Sequence, residues 1–251
     1  MLRLEPQIGS TAAEAFLRNG YVVVPFNDGG VIDKVATDWL AFSRAGTETL
    51  KAWEFDYHRN GDPDDGVIIR DDPAYDRKLF FHYRDRLWPL LASRDIDPGG
   101  QYDLLGYCGE LSTRVLRQIC QLATDIDAHL QLGLVGKMHA SNEHVLRLLH
   151  YRRAPHGSII AREHVDRCCI TAHIAESHPR LELYLNGAWT HYPVERGTLL
   201  LFSSAKLQAL CPGAPRAIPH RVIAHDPTNA GTAVERWSMV YFSHVDLLPT
   251  G

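Results

Sequence analysis

The sequence predicts a mainly β protein with flanking helices, and three observations carry that expectation. From residue 144 onward, short apolar runs recur with turn residues every ten or so positions, the rhythm of a sandwich or barrel. Ahead of them, one long stretch repeats apolar side chains at three-and-four spacing, which is the period of a helix. The 251 residues contain no internal repeat, low-complexity tract or linker-like composition, so one domain is expected to hold both parts. Within residues 1–251, we expect 1–143 to form a helical and strand support and 144–245 to form the core.

The elements can be justified in order. Ser10 or Thr11 can cap a first helix over residues 12–18, because a short hydroxyl satisfies the free N–H groups of a first turn. Residues 21–26 form an apolar strand after Gly20. Residues 31–42 have helical spacing, with Val31, Val35 and Leu40 on the buried side. Residues 56–76 are polar and rich in glycine and proline, predicting a long loop around a short strand at Val67, Ile68 and Ile69. The strongest helix spans residues 103–134, with Leu104, Cys108, Leu111, Val115, Ile119, Leu122, Ile126 and Leu130 in one stripe. That stripe predicts packing against the outside of the β core. Strands follow at 146–151, 170–174, 198–202, 217–223 and 236–242. Gly187 and Gly197 mark the turns between some of them.

Composition narrows the function classes. A hydrophobic content of 45% supports a sizeable core. The net charge is −4 and no block of lysine and arginine stands out, which argues against nucleic acid as a partner. The five cysteines (Cys108, Cys120, Cys168, Cys169 and Cys211) are odd in number and lack C-x-x-C spacing. This argues against a disulfide framework or a structural zinc site, and adjacent Cys168 and Cys169 are expected to pack as small buried residues. No segment resembles a signal peptide or a membrane span, so the expectation is a soluble, cytoplasmic protein.

The chemistry is carried by His164 and Asp166, followed by His220, then by Arg236 and Ser238. Two imidazoles and one carboxylate can occupy one face of a divalent iron and leave the opposite face open. Positions two apart on a strand share a face, so His164 and Asp166 would point together, as would Arg236 and Ser238. Arginine grips a carboxylate with parallel N–H donors, and a serine hydroxyl adds another. H-x-D alone has little weight, since about one such triplet arises by chance in a chain with this much histidine. His244-Val245-Asp246 is such a match, and with no histidine after it we read it as a polar chain end. His150, His156, His191 and His225 have no spacing that recommends them as ligands.

Six segments in order give the core a resemblance: Leu148-Leu149-His150-Tyr151, His164-Val165-Asp166, Asn186-Gly187-Ala188-Trp189, Arg196-Gly197-Thr198-Leu199-Leu200, Pro219-His220-Arg221-Val222 and Arg236-Trp237-Ser238. Residues 144–245 resemble the oxygenase domain of the isopenicillin N synthase-like, 2-oxoglutarate and Fe(II)-dependent dioxygenases. The resemblance implies a double-stranded β-helix (jelly roll, cupin-like) core. It implies that His164, Asp166 and His220 bind Fe(II) as the catalytic set. It further implies that Arg236, Ser238 and a tyrosine matching Tyr151 bind 2-oxoglutarate as co-substrate. The implied reaction consumes O2, oxidises a small-molecule substrate by default hydroxylation, and releases succinate and CO2. Retention of Asp166 argues against halogenation. This chain departs from the family in having Leu149 where an asparagine is frequent, and Arg167 where an aromatic residue often follows the aspartate. It also has a longer interval from His220 to Arg236, filled at 226–231 by residues we read as an inserted hairpin loop.

Strict alternation from His164 would place Thr171 and His173 outside the core. Similarity to the family favours a bulge after Asp166 that turns both inward, as substrate-pocket residues. Arg167 is a further candidate for an acidic substrate group, with a surface ion pair as its competitor. Two other functions stay open at this point. One is an Fe(II) oxidase of the isopenicillin N synthase type, in which the arginine–serine pair grips the substrate itself. The other is a non-catalytic cupin-like binding protein.

Overall fold

A computed structural model describes residues 11–55, 65–70, 78–154, 156–224 and 234–246. Most of the loop expected at 56–76, the insertion at 226–231 and His225 lie outside them. The N-terminal part consists of α1 (Ala12–Asn19), β1 (Tyr21–Pro25), α2 (Val31–Ser43), α3 (Thr47–Ala52) and β2 (Glu54–Phe55). Next come β3 (Asp65–Arg70), β4 (Lys78–Tyr83), α4 (Leu87–Ser93), a 3-10 turn (Gly99–Gln101), α5 (Tyr102–Leu130) and α6 (Leu134–Ala140). The strands β5 (Val145–Ala154), β6 (Ile159–His164), β7 (Ile170–Glu176), β8 (Leu181–Leu185), β9 (Ala188–His191) and β10 (Thr198–Ser203) follow. The chain closes with α7 (Ala205–Leu210), β11 (His220–Ile223) and β12 (Val234–Ser243).

Local chemistry accounts for these limits. Thr11 caps α1 by accepting from the Glu14 amide at 3.2 Å, while Glu14 accepts from the Thr11 amide at 2.9 Å. On α2 the buried face is Val31, Val35 and Trp39, and Leu40 is only half-buried. The long helix stops at Leu130, four residues short of the expected end. There Gln131 adopts a left-handed φ of 53°, and Asp127 accepts from the amides of Leu134 and Val135, capping α6 instead. Gly109 inside α5 has a packing reason, since a Cβ there would lie 2.7 Å from the Tyr83 hydroxyl. Between β8 and β9, Asn186 and Gly187 have φ of 51° and 84°, the two-residue turn that matches a hairpin's twist.

The strands form two sheets. The large one has the order β1-β10-β7-β12-β5-β4-β3-β2, and the small one β6-β11-β8-β9. One face of the large sheet, through Leu146, Leu148, Ala172 and Met239, packs on the apolar stripe of α5 and on α2. Burying each large aliphatic side chain there stabilises the fold by roughly 1.5–3 kcal/mol. The opposite face, through Phe80, Leu149, Tyr151 and Phe202, packs on Ala161, Leu181, Leu183 and Val222 of the small sheet. The site lies between the two sheets. Among the described residues no helix is long and apolar enough to cross a membrane.

Cysteine and C-terminal expectations met different outcomes. Cys168 and Cys169 are buried, and all five thiols are free. The second H-x-D match is not a solvated end, which corrects that expectation. Val245 is fully buried, the His244 amide donates to His144 Nδ1 at 3.0 Å, and Asp246 accepts from the Ser141 hydroxyl at 3.2 Å. Burial, reinforced by the nearby Lys206, holds the His244 imidazole down to a pKa of about 4.

Candidate active site

His164, Asp166 and His220 offer one ligand atom each, and these atoms all lie within 4.8 Å of one another. His164 ends β6 and pairs directly with His220, which begins β11, so the small sheet sets the two imidazoles side by side. Asp166 is not on that strand. It lies in the connection from β6 to β7, where the chain leaves the small sheet for the large one. The expected shared strand face is therefore replaced by a crossing loop, and the start of α7 pins it. The amides of Ala205, Lys206 and Ser204 donate to the carbonyls of Asp166, Cys168 and Cys169 at 2.9, 3.0 and 3.1 Å. Asp166 Oδ1 is 3.6 Å from His164 Nε2, and Oδ2 is 3.4 Å from His220 Nε2.

Both imidazoles are oriented by a backbone carbonyl. His164 Nδ1 lies 2.7 Å from the Arg162 carbonyl, and His220 Nδ1 lies 3.1 Å from the Ile218 carbonyl. A carbonyl only accepts, so each Nδ1 carries a hydrogen and Nε2 is the ring nitrogen turned toward Asp166. Burial pushes the His220 pKa down against the opposing pull of Asp166, which favours the neutral imidazole that a metal needs. The carboxylate is steadied by Thr171, whose hydroxyl donates to Asp166 Oδ2 at 2.7 Å. Ser204 Oγ, 2.9 Å from Thr171 Oγ1, supports that hydroxyl in turn. Two buried ligands beside the half-exposed His164 leave the set open toward the cavity mouth.

The cavity between the sheets is lined by the metal-ligand candidates, by Tyr151, His173, Arg236 and Ser238, and by apolar side chains including Leu149, Phe202 and Val240. Arg236 sits opposite Tyr151 across β12 and β5, and Ser238 opposite Leu149, so all four face the interior. Thr171 and His173 also face inward. The parity change comes from the crossing loop after Asp166 rather than from a bulge there. The irregularity in β7 comes later: Val240 pairs with His173 and Met239 with Ala175, so Ile174 is an extra residue. Arg167 is exposed and does not line the cavity, which corrects that candidate. It follows the inward Asp166 by one residue, and the turn directs it to solvent.

Glu176 is the residue that sequence reasoning missed. The extra residue at Ile174 brings it inward, opposite Ser238. Its side chain and that of Arg236 are both 1% exposed, and they form an ion pair through Arg236 Nη2 and Glu176 Oε2. The rest of the guanidinium is also engaged: Nη1 donates to Ser238 Oγ at 3.2 Å and Nε to the His178 carbonyl at 3.3 Å. Burial would raise the Glu176 pKa, but His173 and Arg236 outweigh it and hold the carboxyl down at about 2. A buried arginine thus has a carboxylate from its own chain. Glu176 does not line the cavity, so the pair is held from behind while Nη1 and Ser238 face inward. The signal for Glu176 was an acid five residues after the inward-facing Thr171, hidden by the assumption of unbroken alternation.

Two further histidines hold the fold rather than the ligand set. His150 is fully buried and bridges Ser43 Oγ and Glu235 Oε1 at 2.8 Å each, and His191 Nε2 lies 2.8 Å from the Pro179 carbonyl.

Residues 142–245 match the sequence profile of the 2OG-Fe(II) oxygenase superfamily. A search of curated protein sequences gave no match to the chain. Solved structures share the fold over nearly the whole chain. A Caulobacter crescentus protein assigned to the 2OG-Fe(II) oxygenase family has 23% identity and a TM-score of 0.73, covering 93% of this chain and 80% of its own. The dioxygenase for auxin oxidation 1 of Arabidopsis thaliana, in its 2-oxoglutarate complex, has 15% identity and a TM-score of 0.70, covering 94% and 87%. A full-length Neurospora crassa protein, in complex with alpha-KG, has 17% identity and a TM-score of 0.67, covering 95% and 81%. The shared architecture is the double-stranded β-helix.

Proposed function

We propose, on the premise that residues 142–245 belong to the 2OG-Fe(II) oxygenase superfamily, that this chain hydroxylates a small molecule, with 2-oxoglutarate leaving as succinate and CO2. The observation that carries the reading is the close cluster of His164, Asp166 and His220 at one part of a cavity that also holds the buried Arg236–Ser238 pair. The donor set fits ferrous iron: two Nε2 lone pairs held by their Nδ1–H bonds, one carboxylate, and no further described ligand in the cluster. Bound there, Fe(II) would activate O2, with two of the four electrons coming from 2-oxoglutarate and two from the substrate.

The chain's own side chains do the rest. In this reading Arg236 Nη1 and Ser238 Oγ receive the distal carboxylate of 2-oxoglutarate, and Tyr151, directly opposite Arg236, borders that end. Glu176 holds the guanidinium in place from outside the cavity. Thr171 fixes the Asp166 carboxylate, and His173 forms part of the pocket wall. Leu149, Phe202 and Val240 keep water away from the reacting end. Residues 1–143 serve as support for the 144–245 core within one domain, since α2 and α5 share a continuous apolar cluster with β5, β7 and β12.

The test is anaerobic addition of Fe(II) and then 2-oxoglutarate, followed in the visible range. The expected result is a charge-transfer band when both are present, absent in His164→Ala, and succinate release once O2 is admitted. Oxygen consumption that needs no 2-oxoglutarate and yields no succinate would instead establish an oxidase. A protein that takes up no Fe(II) would be a binding protein without turnover.

A further inference from the structure

We propose that Ser203 and Ser204, at the end of β10, are positioning residues for the metal centre: Ser204 sets Asp166 through Thr171, and Ser203 sets the approach to His220. This rests on the reading of His164, Asp166 and His220 as the ligand set. Both serines are fully buried, and a buried hydroxyl needs a hydrogen-bond partner. Successive side chains leave an extended backbone on opposite sides, so the two hydroxyls serve different neighbours.

The direction of each hydrogen fixes the Ser204 arm. Thr171 has one hydroxyl hydrogen, and it goes to Asp166 Oδ2 at 2.7 Å because a carboxylate only accepts. The Thr171 oxygen is therefore the acceptor for Ser204 Oγ at 2.9 Å, with Ser204 as the donor. Cys168 Sγ, 3.2 Å from the same oxygen, is a second donor by the same reasoning. Ser204 gives up another task for this one. It is the N-cap of α7, where a serine ordinarily accepts from an amide of the first turn, yet its side chain makes no such bond. The amides of Ala205 and Lys206 are turned instead to the carbonyls of Asp166 and Cys168. The whole start of α7 is thus aimed at the loop that carries the ligand.

The Ser203 arm runs the other way. Its hydroxyl donates to the Pro215 carbonyl at 3.0 Å, and its carbonyl accepts from the Ile218 amide at 3.0 Å. One helical turn on, Gln208 Oε1 accepts from the Ala217 amide at 2.7 Å. These bonds grip the chain just before His220, and the Ile218 carbonyl lies 3.1 Å from His220 Nδ1. Six residues, 203–208, therefore hold two of the three ligands from behind, one on each side. Groups that orient a ligand in this way govern metal affinity without touching the metal.

The experiment uses the full chain under anaerobic conditions. Fe(II) affinity is read by competition with a chromogenic chelator, and melting curves confirm that each variant folds. Ser204→Ala is expected to weaken Fe(II) binding by about tenfold, and Ser204→Thr, which keeps the hydroxyl, to recover most of it. In a Thr171→Val background Ser204→Ala should cost nothing further, because its path to Asp166 is already cut. Ser203→Ala should weaken Fe(II) in both backgrounds alike, because its path leads to His220. Should a variant fail to fold, hydrogen exchange on the native chain decides. Fe(II) is expected to slow exchange in peptides covering 203–210 and 215–220 by at least about tenfold. Unchanged affinity in either alanine variant, a Ser204→Ala loss of equal size in the Thr171→Val background, or exchange that ignores the metal would overturn the proposal. A native chain that takes up no Fe(II) overturns the ligand set and this inference together. The expected affinity pattern without 2-oxoglutarate-dependent succinate release leaves the inference standing and counts against the oxygenase reading alone.

Discussion

Replacing Glu176 with glutamine separates the two jobs of the Arg236 pair. The amide is nearly isosteric and can still accept from Arg236 Nη2, so the guanidinium stays in place while its neutralising charge is removed. Both side chains are 1% exposed, so the remaining cation is left in a low-dielectric site. Breaking such a buried pair typically costs about 3–5 kcal/mol, and the retained hydrogen bond argues for the lower end, about 3 kcal/mol. For a chain of this size that corresponds to a fall in Tm of about 6–12 °C in the ligand-free protein. With 2-oxoglutarate the sign reverses. Its distal carboxylate would meet a cation no longer shared with Glu176, so binding should tighten by about tenfold, or about 1.4 kcal/mol. The assay is thermal unfolding of native and Glu176→Gln protein, anaerobic with Fe(II), across a 2-oxoglutarate series. The variant should start lower and gain more from the ligand, by the linkage between binding and unfolding. An unchanged starting Tm, or a ligand-induced rise no larger than in the native protein, refutes the reasoning.

Three further outcomes are expected. Thr171→Val removes the 2.7 Å donor to Asp166 Oδ2 and should weaken Fe(II) binding about 10- to 100-fold, measured by metal competition, with Tm nearly unchanged. His244 is held neutral in the fold with a pKa of about 4, below its ordinary value of 6.5, so the unfolded chain takes up the proton first. Its contribution is fully present above pH 6.5 and is lost as pH falls toward 4, draining roughly 3 kcal/mol. Urea unfolding across that range should show a shallower slope in His244→Leu, and identical slopes would contradict the assignment. Asp65 is 1% exposed and accepts from Arg84 at 2.9 Å and Arg86 at 2.7 Å. Asp65→Ala should therefore destabilise by about 3–5 kcal/mol in chemical denaturation, and a loss below about 1 kcal/mol would show the triad to be dispensable.

The strands were legible because each declares itself locally. An apolar run such as 198–202, bounded by Gly197 with φ of 81°, reads as a strand with no knowledge of its neighbours. The long helix was legible for the same reason, through its unbroken apolar stripe, but its end was not. Asp127 looks like an ordinary helical residue until its carboxylate is seen capping the next helix. The metal-ligand candidates were legible as residue types, yet His164 ends its strand and Asp166 lies beyond it, so the two do not share a strand face. The crossing loop brings them together, and its shape depends on amides at the start of α7, some forty residues later.

Glu176 shows where alternation fails as a guide. From His173, a regular strand would put Ala175 inward and Glu176 outward, and the sequence offers no local cue against it. The extra residue at Ile174 exists because β12, with its own register, must pair with both β5 and β7. Pairing energy is shared between two neighbours, so a one-residue irregularity on one side is tolerated when it keeps the other side regular. The consequence is chemical. That single residue brings a carboxylate behind Arg236 and leaves His173 facing the cavity, so the same irregularity sets the charge beside Arg236 and the polarity of the cavity wall. Deleting Ile174 would return Glu176 to the outer face and strand the Arg236 charge. The deletion should therefore cost more than Glu176→Gln in thermal unfolding, and 2-oxoglutarate should recover less of it because the register of β7 is lost as well. Equal losses in the two variants would mean that the register carries no energy beyond the ion pair.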